Sequence, residues 1–347
     1  MIEILAAYVH DLDPVIFSFS EKIKLRWYGL SYVMGFMAAY AILLRLARRD
    51  LWNIAEEKVG DVVTYTAIFG VFLGGRIGYV LFYMIPRDGL GPILENPLTI
   101  IAVWDGGMAS HGGILGIMIF TLVYAWRNKI SWRAMGDGIA IVAPLGVFFG
   151  RIANFINGEL YGTVTGEQKW WAVKFPKSLY EGDQEGLQAA LRQAAVADPE
   201  RVGPILAPYG QLNGDFSLPR RVFENEIEPI ARQNPEVLQA LADHTPARHP
   251  SQLYEGVLEG LLVFLVLYAL RVKFPQLWNG VISGAFFILY AIFRIGVENV
   301  RQPDSAEIMG LTKGQFYSYF MILIGLGFFM YAWRSRKSLS SGMSRSS

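Results

Sequence analysis

Long apolar runs separated by short polar stretches dominate the chain. A helix that crosses a bilayer needs about 20 consecutive residues of low charge, and seven segments meet or approach that requirement. The predicted spans are 28–46, 63–84, 114–126, 138–156, 253–270, 281–300 and 314–333. The pattern predicts an all-α integral membrane protein, a bundle of seven transmembrane helices.

The polar stretches between the spans differ in length. Segment 98–113 contains Trp104-Asp105-Gly106-Gly107, and its glycines predict a loop or re-entrant element rather than a helix. Segment 163–248 is the one sizeable polar region. Within it, alternation at 169–175 predicts a strand, and 186–196 and 235–242 predict short helices.

These boundaries predict four regions. They are an N-terminal membrane part at 1–162, a small extracytoplasmic head at 163–248, a C-terminal membrane part at 249–336 and a disordered cytoplasmic tail at 337–347.

Basic residues next to the spans predict the orientation, because cytoplasmic loops carry an excess of Lys and Arg. Arg45, Arg48, Arg49, Arg127, Arg133, Arg271, Lys273 and Arg334 fall on one side if the chain crosses seven times. The N-terminus is then outside and the C-terminus is in the cytoplasm. Lys22, Lys24 and Arg26 are the exception, either as interfacial anchors or as groups that attract anionic headgroups.

Composition supports the membrane class and excludes others. Of 347 residues, 53% are hydrophobic and only 18% are charged, which is too apolar for an ordinary soluble protein. The net charge is +1, and no basic patch interleaved with aromatic residues indicates nucleic acid. The chain has no cysteine, so a thiolate nucleophile and a cysteine-based metal site are excluded.

One apolar run ends in an unusually polar stretch, Gly150 to Gly162. Arg151, Asn154, Asn157 and Glu159 follow the run directly, although a charge at membrane depth costs on the order of 2.5–3.5 kcal/mol. The stretch is therefore either a functional site or a helix end at the interface, where an Arg snorkels to water.

A polar stripe also runs along the sixth predicted span. Tyr290, Arg294, Glu298 and Arg301 are spaced to share one helix face. An Arg294–Glu298 ion pair would explain part of this stripe, but not Arg76 and Arg151 as well. Because few intramembrane carboxylates accompany these arginines, the pattern predicts an anionic ligand, and Arg suits phosphate.

Other catalytic signatures give little support. His111 lies at a membrane-adjacent position, where it is either a structural residue or a base. No HExxH spacing, GxSxG motif or Walker loop is present, so we predict no metal and no cofactor.

The polar motifs together resemble those of the bacterial prolipoprotein diacylglyceryl transferases. The matching segments, in family order, are Arg26-Trp27-Tyr28-Gly29-Leu30, Gly74-Gly75-Arg76, His111-Gly112-Gly113, Gly150 to Gly162, His249-Pro250-Ser251-Gln252-Leu253-Tyr254-Glu255 and Tyr290 to Asp304. The resemblance covers nearly the whole chain except 163–248.

The resemblance implies an enzyme of the bacterial plasma (inner) membrane whose active site faces the extracytoplasmic leaflet. Such enzymes transfer the diacylglyceryl group of phosphatidylglycerol to the lipobox cysteine of a prolipoprotein, form a thioether and release glycerol 1-phosphate. Phosphatidylglycerol, the prolipoprotein signal peptide and the lipid bilayer are the implied partners.

The resemblance also assigns roles to residues. Arg151 and Arg294 would stabilise the departing phosphate, and His111 would take the thiol proton, with Glu159 as a rival base. The implied phosphatidylglycerol-binding residues are Arg151, Asn154, Gly162, Arg294, Tyr28, Arg76, Gln252 and Tyr290. Glu298, Arg301 and Asn157 would support them. A transporter or flippase for an anionic lipid is the alternative, although no internal repeat supports it.

Overall fold

The computed structural model describes residues 7–20, 24–103, 106–210, 217–303 and 307–343, with side chains through 335. Lys22, Trp104, Asp105 and Asp304, which carry some of the predictions above, lie outside the described residues. The longer helices are α1 (Trp27–Arg48), α2 (Glu56–Asp88), α3 (Gly91–Glu95), α4 (Ser110–Arg127), α5 (Trp132–Ile156), α6 (Gln184–Ala197), α7 (Val202–Leu206), α8 (220–233), α9 (Pro235–Asp243), α10 (Ser251–Lys273), α11 (Val281–Glu298) and α12 (Lys313–Met343).

The fold is mostly helical, and six of the described helices are long and apolar enough to cross a membrane. These six, α1, α2, α5, α10, α11 and α12, coincide with six of the predicted spans. The third predicted span lies in α4, an 18-residue helix that is not among the six. Many of their large apolar side chains are exposed, as lipid-facing positions require.

Helix α4 begins earlier than the glycine-rich sequence predicts. His111, Gly112 and Gly113 lie in its first turn, not in a loop. The reason is helix packing, because a Cβ on Gly112 would lie 2.6 Å from the Cα of Gly78 in α2. Small residues let two helix backbones approach closely, and this contact outweighs the low helix propensity of glycine.

Among the described residues, the strands form two small sheets. Strand β1 (Tyr8–Val9) pairs in parallel with β4 (Val173–Lys174), which pairs antiparallel with β5 (Ala247–Arg248). Strands β2 (Val15–Ser18) and β3 (Lys24–Arg26) form a separate antiparallel pair. The strand predicted at 169–175 is therefore confirmed for two residues only.

The head has a hydrophobic core of its own. Helices α6 and α9 lie close to the predicted short helices and pack against each other. Fully buried side chains from this region, including Leu191, Phe223 and Leu241, form one cluster. The region is thus a folded helical module rather than a long loop.

The chain forms two compact units. The first comprises Met1–Val33, Val147–Gly260 and Ile292–Ser318, and the second comprises Met34–Gly146, Leu261–Ala291 and Tyr319–Ser347. Helix α12 ends at Met343, so it extends into the segment that the sequence predicts to be a disordered tail.

A buried carboxylate organises the second unit. Asp137 accepts hydrogen bonds from the backbone N–H of Gly280 (2.8 Å) and from the N–H and hydroxyl of Ser283 (2.9 and 2.7 Å). Arg271 donates to the same carboxylate at 3.1 Å. Because the first N–H groups of a helix lack partners within it, Asp137 fixes the start of α11.

Candidate active site

The polar stretch predicted to carry function begins with a tight helix end. Helix α5 stops at Ile156, and Gly158 has φ of +62°. The N–H of Gly158 donates to the carbonyl of Phe155, and the N–H of Glu159 donates to the carbonyl of Asn154. This pair of hydrogen bonds is a Schellman motif, in which glycine at the left-handed position allows the chain to reverse.

The turn brings the Glu159 carboxylate back to the last turn of α5. Its Oε1 accepts hydrogen bonds from the Nδ2 atoms of Asn154 (2.9 Å) and Asn157 (3.2 Å). The Oδ1 of Asn154 in turn accepts from Nη1 of Arg151 at 3.4 Å. Glu159 therefore orients Arg151 through Asn154 and forms no direct ion pair with it.

The direct partner of Arg151 is Glu255. Nη2 of Arg151 lies 2.7 Å from Oε2 of Glu255, and Nη1 of Arg294 lies 2.7 Å from the same oxygen. Arg301 lies 3.7 Å from the other oxygen of Glu255. Two arginines predicted to bind the anion are thus held together by one carboxylate, and a third lies beside them.

Arg294 has further carboxylate partners. Its guanidinium lies 3.5 Å from Glu259 and 3.0 Å from Glu298. The predicted Arg294–Glu298 pair is present, and Glu255 and Glu259 are further partners of the same guanidinium. We name the six residues Arg151, Arg294, Arg301, Glu255, Glu259 and Glu298 the arginine–glutamate cluster.

The cluster corrects the prediction that few intramembrane carboxylates accompany the arginines. The side chains of Glu255 and Glu259 are completely buried, and with Glu298 they match three guanidinium charges with three carboxylates. The sequence contained a signal for them, because both lie in an apolar span four residues apart. A buried charge without a partner is too costly to persist.

Close packing of two helices explains why Glu255 reaches Arg151. A Cβ on Gly256 would lie 3.3 Å from the Cβ of Arg151, and one on Gly260 would lie 2.8 Å from the Cα of Phe148. Helix α10 therefore lies directly against the end of α5. The adjoining segment of α10, Gly256–Leu262, is a π-helix, a distortion that is frequent at functional sites.

Gln252 and Gly162 lie at the same end of the first unit. Nε2 of Gln252 donates to the carbonyl of Glu159 at 2.8 Å, whereas its buried Oε1 has no hydrogen-bond partner among the described residues. Gly162 donates to the carbonyl of His249, and a Cβ on it would lie 2.7 Å from the Cβ of His249. The space beside Gly162 is thus filled by protein, so close chain packing explains this glycine better than headgroup access.

Tyr28, in the first turn of α1, is 39% exposed, and its ring lies 5.6 Å from that of Tyr32.

His249 lies outside the membrane spans, just before α10, and burial lowers the pKa of its imidazole. This ring packs against Trp171 at 4.7 Å.

Three predicted site residues belong to the second unit: Arg76, His111 and Tyr290. Arg76 is buried and donates to the carbonyls of Thr99, at 2.7 Å from Nη2, and of Gly106 and Gly107. These contacts hold the segment before α4, and the predicted contact of Arg76 with phosphatidylglycerol stays a prediction. His111 is exposed, and Tyr290 packs against Phe286.

The described residues contain no group of three or more His, Asp or Glu side chains that could hold a metal ion. The carboxylates of the arginine–glutamate cluster face guanidinium groups instead. The chemistry that the cluster offers is the binding of an anion by fixed N–H donors in a site of low dielectric constant.

Comparisons with known proteins identify the family of the chain. The prolipoprotein diacylglyceryl transferase family matches residues 14–331. A phosphatidylglycerol–prolipoprotein diacylglyceryl transferase of Bdellovibrio bacteriovorus is 39% identical over 348 residues, which cover 95% of each chain. Enzymes of the same name from Proteus mirabilis (36% identical) and Erwinia tasmaniensis (38%) are similar over 94% of each chain. The chain therefore belongs to the prolipoprotein diacylglyceryl transferase family.

Proposed function

We propose that this protein transfers the diacylglyceryl group of phosphatidylglycerol to the cysteine thiol of a prolipoprotein. The observation that carries the proposal is the shared carboxylate of Arg151 and Arg294, which holds two guanidinium groups together in a buried site. The names of the relatives, which cover nearly the whole chain, support the same substrates.

The reaction breaks a carbon–oxygen bond and forms a carbon–sulfur bond. The sulfur of the thiolate attacks the glyceryl carbon, and the electron pair of the broken bond leaves with the phosphate as glycerol 1-phosphate. Negative charge grows on the phosphate oxygens during this step. Arg151 and Arg294 are positioned to stabilise it, because their carboxylate partners hold them before substrate arrives.

Glu255 sets the geometry of both arginines. Since three carboxylates already balance three arginines, the phosphate must compete with them for N–H donors. Arg151 has the most exposed side chain of the three arginines, at 18%, against 11% for Arg294 and 9% for Arg301. Arg151 is therefore the group that meets the phosphate first.

The thiol must lose its proton before attack, because its reference pKa of about 8.5 lies above neutral pH. His111 is our choice for the base, and Glu159 is the rival. The contacts of Glu159 favour an orienting role, since its carboxylate already binds Asn154 and Asn157. Asn154, Gln252, Tyr28 and Tyr290 are the proposed headgroup partners.

We further propose that the protein crosses the bacterial plasma (inner) membrane seven times, with its N-terminus outside and its C-terminus in the cytoplasm. Helix α4 would be the seventh crossing, and the active site would face the extracytoplasmic leaflet. The excess of Lys and Arg on the opposite side supports this orientation.

The test is a transfer assay with purified protein in detergent, phosphatidylglycerol and a lipobox peptide, read by the diacylglyceryl mass added to the peptide. We expect Arg151→Ala and Arg294→Ala to lower the rate at least about 100-fold, the size of effect that follows loss of one transition-state donor. Arg48→Ala removes an exposed arginine and should leave the rate unchanged. A wild-type protein that adds no mass, as a transporter would, or an Arg151→Ala protein of full activity, contradicts the proposal.

A further inference from the structure

Two side chains from outside α5 bind the turn that carries Glu159. We name residues 155–160 the Glu159 turn. Nε2 of His10 lies 2.7 Å from the carbonyl oxygen of Phe155, and Nζ of Lys177 donates to the carbonyl of Asn157 at 2.7 Å. Both acceptors lie at the C-terminal end of a helix, where carbonyl groups are available to side-chain donors, and the helix dipole there also favours the cation of Lys177.

His10 is held in place by its own surroundings. Its backbone N–H donates to the carbonyl of Lys174, and its ring packs between Phe155 (5.6 Å) and Phe175 (5.3 Å). A Cβ on Gly158 would lie 3.1 Å from this ring. The imidazole therefore lies directly against the left-handed residue of the turn and limits its movement.

Lys177 is held in place by other residues of the head. It lies near the start of a 3₁₀ helix, Pro176–Glu181, and its Nζ is 3.7 Å from Glu228. Arg232, one helical turn away, lies 3.8 Å from the same carboxylate. The side chains of Lys177 and Glu228 are only 14% and 11% exposed, so the contact is protected from water.

We propose that Lys177 and His10 are positioning residues of the transfer reaction, which fix the Glu159 turn and through it the guanidinium of Arg151. The inference rests on the proposed function. Neither residue touches a reacting group. The effect of Lys177 passes from the carbonyl of Asn157 to Glu159, from Glu159 to Asn154, and from Asn154 to Arg151. His10 acts on the same turn at the carbonyl of Phe155.

The first experiment replaces Lys177 by Met, which keeps the aliphatic stem and removes the donor. We expect kcat to fall about tenfold while KM for phosphatidylglycerol changes less than about twofold, because small misplacements of a catalytic group lower the rate more than binding. Lys177→Arg keeps a cation in reach of the Asn157 carbonyl and should retain at least half of kcat.

Lys174 supplies a matched control. Its side chain is also 14% exposed, donates to one backbone carbonyl (Ala242, 3.0 Å) and faces one carboxylate (Glu167, 3.2 Å). None of these contacts involves the Glu159 turn. Because the Glu167 side chain is 67% exposed, Lys174→Met should lower the melting temperature no more than Lys177→Met does, and it should leave kcat within about twofold of the wild type.

The outcomes separate this inference from the proposed function. If the wild type adds no diacylglyceryl mass, the proposed function fails and this inference fails with it. If the wild type is active and the two Met variants lose kcat equally, only the inference is overturned. If Lys177→Met is much less stable than Lys174→Met, the Lys177→Arg variant decides. A kcat of Lys177→Arg as low as that of Lys177→Met would contradict the role of Lys177 as a donor.

Discussion

Glu255 lies at the centre of the arginine–glutamate cluster, with a carboxylate shared by Arg151 and Arg294. Removal of one member of a buried ion pair typically costs 3–5 kcal/mol, because the remaining charge has no compensation. At this site the carboxylate also sets where two guanidinium groups lie. The positions of the two arginines therefore depend on their acidic partner.

Two buried groups in the first unit give opposite pH dependences at the residue scale. Burial raises the pKa of Glu228 to about 7 and lowers the pKa of His10 to about 4. Lys177 and Arg232 partly oppose the shift of Glu228, and Glu224 adds to it. Between about pH 4.5 and 7, Glu228 binds more protons in the folded protein than in the unfolded chain. Its contribution to the free energy of unfolding therefore falls as the pH rises. Folded His10 binds fewer between about pH 4 and 6.5, so it destabilises the fold as pH falls.

In the wild type, the two opposite dependences of stability on pH largely cancel. We therefore expect a variant that lacks one of the two groups to show the dependence of the other. Glu228→Gln should lose stability as the pH falls from 6.5 to 5, and His10→Asn should lose stability as the pH rises from 5 to 7. Because each variant leaves one titrating proton, its free energy of unfolding should change by at most about 1.4 kcal/mol per pH unit. Thermal unfolding in detergent at pH 5, 6 and 7 measures both, and variants with parallel slopes would contradict the assignment.

At the scale of elements, the α2–α4 contact depends on glycine at particular positions. A Cβ on Gly112 would meet the backbone of α2 at Gly74 and Gly78, whereas one on Gly113 would find its nearest atom 3.7 Å away. We expect Gly112→Ala to destabilise the protein by about 1–3 kcal/mol, the usual cost of overpacking.

Gly113→Ala is the control, because it makes the same chemical change one residue further along the helix. It should leave the melting temperature in detergent nearly unchanged or raise it slightly, since alanine favours helix. Equal melting temperatures for the two variants would show that the helices separate without cost.

The elements also show what a sequence can predict. Six spans were predictable because a bilayer demands a long apolar run, a property of one segment by itself. The start of α4 and the two-residue strands depend on partners distant in the chain, so local pattern could not locate them. The same holds within the site. Arg151 and Arg294 were recognisable as charges in apolar surroundings, but their shared contact with Glu255 depends on the packing of three helices, which a local pattern does not reveal.

Gly162 and Arg76 show a second limit. The resemblance predicts phosphatidylglycerol contacts for both residues. The structure fills the space beside Gly162 with His249 and binds Arg76 to three carbonyls, which the sequence did not predict. A residue type indicates what chemistry is available, and only the tertiary structure decides which partner takes it.

For the whole molecule, the proposed orientation has a direct test, because the chain contains no cysteine to interfere. Trp170→Cys places a thiol in the head at a position that is 76% exposed, and Asn128→Cys places one in the exposed turn after α4. In spheroplasts, a membrane-impermeant maleimide should label the first thiol and reach the second only after lysis. The cysteine-free parent is the control, and the reverse pattern would invert the orientation.

The pairing of β1 sets a condition on how the protein is made. Tyr8 and Val9 are among the earliest described residues to be synthesised, yet their partners Val173 and Lys174 emerge some 165 residues later. The same early segment supplies His10 to the end of α5. In the proposed orientation, residues 8–10 must stay accessible on the far side of the membrane while several helices insert, and a bulky group fused before them would hinder their late pairing.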